Sequence, residues 1–106
     1  MVNNRIIKII KTYINELTKK GLTIKKVYLF GSYAKQTASK ESDIDLLLIS
    51  PQFDNNSDSY APIIWLSEFR TEHKIEPITV GEKRFNEDDV SPLLEIVRQE
   101  GVEIIL

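Results

Sequence analysis

FGSYAKQTASKESDIDLLLIS, residues 30–50, is the stretch from which the rest of the chain is read. A Gly-Ser pair, Gly31 and Ser32, follows an apolar and aromatic segment. Asp43 stands eleven residues after Ser32, and Asp45 two residues later, at the mouth of the run Leu46, Leu47, Leu48, Ile49. Read as a strand, DIDLLLIS (43–50) alternates its side chains, so both aspartates face one way and Ile44 the other. Side chains two apart on one face are about 7 Å apart at the backbone, so the two carboxylates can converge on one ion. Two bare carboxylates that close repel, and one tends to stay protonated. A hard divalent cation such as Mg²⁺, which takes oxygen ligands, removes that conflict. The leucines beyond are apolar on both faces. This predicts a strand buried between layers and anchored firmly enough to hold ligands in place.

Gly31 and Ser32 sit between a strand and an expected short helix through Tyr33–Gln36. Glycine lets backbone approach a ligand. Amides at a helix start favour an anion, and a serine hydroxyl adds a donor to a phosphate oxygen. Gly-Ser alone is a weak signal; joined to Asp-x-Asp at this spacing it is a strong one.

Working outward, residues 4–20 place Ile6, Ile7, Ile10, Tyr13, Ile14 and Leu17 at helical spacing, with Asn3 or Asn4 as cap and Gly21 as stop. KKVYLF (25–30) reads as a strand. PQFDNNSDS (51–59) reads as the most mobile loop. Residues 60–72 read as one helix, with Trp65 and Phe69 in the core. KIEPITV (74–80) is a strand whose proline demotes it to an edge or bulge. Ser91 and Pro92 start a helix ended by Gly101, and VEIIL (102–106) is a terminal strand that finishes the sheet or pairs with another chain. The order is αβαβαβαβ, an α/β (α+β) fold with a small mixed sheet and helices packed on it.

The 106 residues suit one domain, 1–106, with no room for a second core. With no cysteine there are no disulfides or thiolate metal sites, and one histidine excludes a multi-histidine site. No apolar run approaches the roughly 18 residues of a membrane span, so a cytoplasmic protein is expected. Net charge is −2, split as +8 over residues 1–40 and −10 over 41–106. The basic part suits phosphates, an acidic partner or plain solvation. No aromatic-basic groove is visible, which disfavours a nucleic-acid polymerising role.

Phe30-Gly31-Ser32 through Asp43-x-Asp45 resembles the signature of the polymerase β-type nucleotidyltransferase superfamily, and is especially similar to its small single-domain members, the minimal nucleotidyltransferases. The motif core covers about a fifth of the chain, and the order of elements extends the likeness across nearly all of it. The resemblance implies three carboxylates holding two divalent ions, Mg²⁺ here. Asp43 and Asp45 match the first two, and Glu76, in the middle of the next strand, is the candidate third. It implies ATP or another nucleoside triphosphate as substrate, bound by Gly31, Ser32, Lys35, Asp43 and Asp45, with attack on the α-phosphate and release of pyrophosphate. Because the chain lacks a second domain, a partner would complete the site. Small members are paired with helical HEPN-type proteins as antitoxin and toxin, and the implied acceptor is a hydroxyl of that toxin. Two departures stand out. The family often has Gly at the position of Gln36, and the third acid here is Glu, beside Pro77. They leave open an alternative, a weak or inactive module that neutralises its partner by contact. Base preference and oligomeric state, homo- or hetero-, stay open.

Overall fold

The computed structural model describes residues 2–55 and 57–106. Helix α1 (Asn4–Lys19) begins where Asn3 accepts a hydrogen bond from the Arg5 amide at 2.7 Å. It buries Ile6, Ile9, Ile10, Tyr13, Ile14 and Leu17 along one stripe. Gly21, at φ +101°, ends it, and the Leu22 amide returns to the Leu17 carbonyl at 3.1 Å. Four strands follow: β1 (Lys26–Phe30), β2 (Ile44–Ser50), β3 (Ile75–Gly81) and β4 (Val102–Ile104). They lie in the order β3-β2-β1-β4. β1 runs antiparallel to β2 and β4, whereas β2 and β3 are parallel. The expected mixed sheet is therefore present, and VEI finishes it. Ile105 and Leu106 lie past the strand, exposed.

The sheet separates two apolar layers. On one face, α1 covers Val27, Leu29, Ile44, Leu46, Leu48 and Ile75. On the other, Leu47, Ile49 and Val80 pack with Phe85, Leu94 and Val97 from α4 (Glu82–Glu87) and α5 (Pro92–Glu100). This sandwiching is why β2 is apolar on both faces. Pro77, paired with Leu46, is tolerated because β3 is an edge strand, as expected. Among the described residues no helix is long and apolar enough to cross a membrane.

Several expectations need correction. Residues 31–36 form hydrogen-bonded turns, not a helix. The helix expected over 60–72 is two, α2 (Ala61–Trp65) and α3 (Glu68–Glu72). Buried Ser67 takes an extended conformation between them and caps α3 through the Arg70 amide at 3.1 Å. Trp65 is consequently exposed, with the Arg70 guanidinium 4.8 Å from its ring centre, rather than in the core, and Phe69 is half-buried. Within the loop 51–59, Pro51–Asp54 and Ser57–Tyr60 form 3₁₀ turns, and Phe53 is buried. Asn56 of that loop lies outside the described residues. Helix α4 was not expected. Its start is capped from a distance by Asp54, whose carboxylate accepts from the amides of Lys83 (3.0 Å) and Arg84 (3.3 Å).

Candidate active site

The sheet register brings the acids together. In β2 and β3, Asp45 is paired directly with Glu76, and Phe30 of β1 flanks Asp45 on the other side. Paired residues of neighbouring strands share a face. Asp45 and Glu76 therefore stand side by side at the end of the sheet face that α4 and α5 cover further along. Asp43 lies one residue before β2, exposed, so the strand begins at Ile44 rather than at Asp43. Burial, reinforced by the carboxylates of Asp43 and Glu76, holds the Asp45 carboxyl above the usual carboxylate range. Asp43 and Glu76 thus both act electrostatically on Asp45.

Lys74 and Arg70, the nearby cations in sequence, are occupied elsewhere. Lys74 pairs with Glu41 at 3.4 Å. Arg70 donates to the carbonyls of Trp65 and Ile75 at 3.1 and 2.9 Å. Neither neutralises Glu76, which is half-buried beside Asp45. A row of oxygen donors with a like-charge conflict suits a hard divalent cation by its donor chemistry. Among the described residues the acids are not drawn into a closed group of three ligands.

The turn that follows β1 faces this row. Gly31 has φ +74°, and a β-carbon there would overlap Asp45 Oδ2. Its lack of a side chain makes room for the carboxylate as well as for the turn, a second role that spacing alone does not reveal. The Lys35 amide donates to the Gly31 carbonyl at 3.1 Å and the Thr37 amide to the Ser32 carbonyl at 2.9 Å. Gln36 between them has φ +60°. These bonds close a tight turn whose left-handed position favours glycine. The departure at Gln36 thus falls where the backbone is least suited to a side chain. Lys35 turns from the acids, its ammonium 3.5 Å from Glu100 at the end of α5. The structure therefore brings Gly31, Asp43, Asp45 and Glu76 to one edge, with half-buried Ser32 following Gly31 in the turn, and ties Lys35 elsewhere.

At this edge Asp43 is exposed and Asp45 and Glu76 are half-buried. Hollows of about 650 and 500 Å³ lie along the outer side of α1 near Leu106 and β4, and one of about 640 Å³ lies against Trp65–Glu72.

A mixed four-stranded sheet carrying paired acids beside a Gly-Ser turn is the frame of a nucleotide-transferring domain. The family model described as nucleotidyltransferase domain matches residues 7–106. The chain belongs to that family, within the polymerase β-type superfamily. A Methanocaldococcus jannaschii protein whose name marks it as a candidate protein adenylyltransferase is 49% identical over 43 residues. That match spans 40% of this chain and 43% of the relative, less than half its length. The crystal structure of a candidate nucleotidyltransferase from Sulfolobus solfataricus superposes with a TM-score of 0.62 at 18% identity. It covers 93% of this chain and 78% of that one, and shows the shared fold.

Proposed function

We propose that this domain transfers a nucleoside monophosphate, AMP from ATP, to a hydroxyl of a protein partner. The observation that carries the reading is the pairing of Asp45 with Glu76, with Asp43 beside them and the Gly31 turn facing Asp45. Asp43, Asp45 and Glu76 would hold Mg²⁺, two ions by family resemblance. When bound, the metal supplies charge neutralisation for the triphosphate and for the oxygens entering and leaving phosphorus. The chain's own residues position the reactants. The Gly31 backbone and Ser32 hydroxyl hold the terminal phosphates, and the rigid β2 anchor fixes the two aspartates. The acceptor oxygen forms a bond to the α-phosphorus as the bond to pyrophosphate breaks, and the hydroxyl proton passes to the carboxylate row.

The exposure of Asp43 and the partial exposure of Asp45 and Glu76 support a site completed by a second protein. By resemblance that protein is a helical HEPN-type toxin, this chain its antitoxin, and both are cytoplasmic. The M. jannaschii relative supports protein as acceptor through its name. Incubation with Mg²⁺, α-labelled ATP and the partner should label the partner, and D43N/D45N should abolish labelling. Equal labelling by the double variant would show that the site is misplaced.

Neutralisation by contact is the second reading. Gln36 in a left-handed conformation and Lys35 paired with Glu100 favour it, since both weaken a grip on phosphates. It requires D43N/D45N to bind and block the partner as well as the native chain does.

A further inference from the structure

The entrance of β2 has a second side. Ile44, adjacent to Asp45, is buried toward α1. On that side the start of α1, the loop before β2 and the α3–β3 turn enclose a cavity of about 150 Å³. Its charged rim is Arg5, Lys40 and Lys74, against one acid, Glu72, and His73 also lines it. Lys74 is paired with Glu41 outside the cavity's lining. Among the described residues, Arg5 and Lys40 have no acid partner. The cavity therefore carries uncompensated positive charge, whereas the Asp45 side of the same strand carries negative charge.

The rest of the wall sharpens this. Ile6, Ile9 and Ile44 give an apolar floor, which strengthens the field of the cations above it. Ser42 Oγ accepts from the Ser39 amide at 2.9 Å, which leaves its hydroxyl hydrogen to donate. Small-molecule pockets span roughly 300–1,000 Å³. A cavity of half the lower bound suits a single small anion, or one anionic group of a larger ligand.

We propose that this cavity binds a phosphate-type oxyanion, at a site separate from the carboxylate row. Arg5 and Lys40 supply charge, and Ser42 supplies a hydrogen-bond donor. The Ile44 amide donates to the Lys74 carbonyl at 2.8 Å, so the cavity wall is tied directly to the strand that carries Asp45. The site does not depend on transferase activity, because neither Asp43 nor Asp45 lines it.

The test is a titration of ¹⁵N-labelled protein with inorganic phosphate at constant ionic strength, with chloride as control. Saturable shifts are expected at the amides of Ser42, His73 and Lys74. They should persist in D43N/D45N and weaken at least about ten-fold in R5E/K40E, which reverses two charges at the rim. R5Q/K40Q should weaken binding less, and serves if the reversed variant does not fold. A parallel titration with a nucleoside 5′-monophosphate separates the sources. Tighter phosphate binding assigns the free ion, and tighter ester binding at the same amides assigns a phosphorylated ligand. The proposal is overturned if shifts are absent, centre on Gly31 and Ser32, appear equally with chloride, or survive both pairs of substitutions.

Discussion

Gly31 and Asp45 are matched in space: the position a β-carbon would take on the glycine is filled by the Asp45 carboxylate. The glycine also holds φ +74°, which costs other residues about 1–2 kcal/mol. Gly31→Ala should therefore lower stability by about that amount and also push the carboxylate off its row. Labelling of the partner should fall much further than the loss of folded protein explains. Thermal unfolding and transfer assays on the same samples separate the two effects. A variant with native activity would sink the claim that Gly31 clears space for Asp45.

Gln36 is the mirror case, a side chain where glycine fits better. Gln36→Gly relieves the left-handed strain at the cost of a freer unfolded chain. The net expectation is stabilisation of up to about 1 kcal/mol, read as a higher denaturant midpoint. A lower midpoint would show that the glutamine side chain contributes contacts that outweigh its backbone.

Asp45 gives a pH dependence of defined sign. Its folded-state pKa lies above the ordinary 3.8, because burial and then Asp43 and Glu76 oppose its charge. The folded state thus binds more protons than the unfolded state between 3.8 and the raised value. Stability from this group is present below that window and is lost as pH rises through it. Asp45→Asn should accordingly be at least as stable as the native chain at neutral pH, with the difference closing at acid pH. Chemical denaturation at both pH values measures it, and a clear loss of stability at neutral pH would contradict the repulsion.

The same repulsion predicts metal linkage. Mg²⁺ at ten times its dissociation constant should stabilise the native chain by about 1.4 kcal/mol. D43N/D45N should gain far less. Calorimetric titration with Mg²⁺ and ATP gives the constant, and equal stabilisation of both proteins would place the ion elsewhere.

Asp54 should matter beyond its own turn. It caps α4 across the gap in sequence, so Asp54→Ala should cost about 1 kcal/mol. Hydrogen exchange at Lys83 and Arg84 should rise in parallel. Unchanged exchange at both amides would refute the cap.

Much of this architecture was legible beforehand because its signals are local. The α1 stripe, the Gly21 stop and the Ser91-Pro92 start each depend on a few neighbouring residues. So does the Asp-x-Asp spacing. What escaped depends on distant ones. Helix α4 takes its cap from Asp54, 28 residues before its first residue, Glu82. The break at Ser67 inside an apolar pattern is decided by burial, not by periodicity. Glu76 could be named from its place in the strand, but its pairing with Asp45 needed the parallel register. Lys35 reads in sequence as a nucleotide contact because Glu100, its partner in the fold, lies 65 residues away.

Pro77 carries a last consequence. It stands next to Glu76 on the outermost strand and brings no N–H to that outer border. Another chain cannot zip onto the sheet there as a fifth strand without leaving a rung unmade. Whatever meets the carboxylates must therefore arrive over the face or from the strand ends. The approach route is built into the backbone before any side chain selects a visitor.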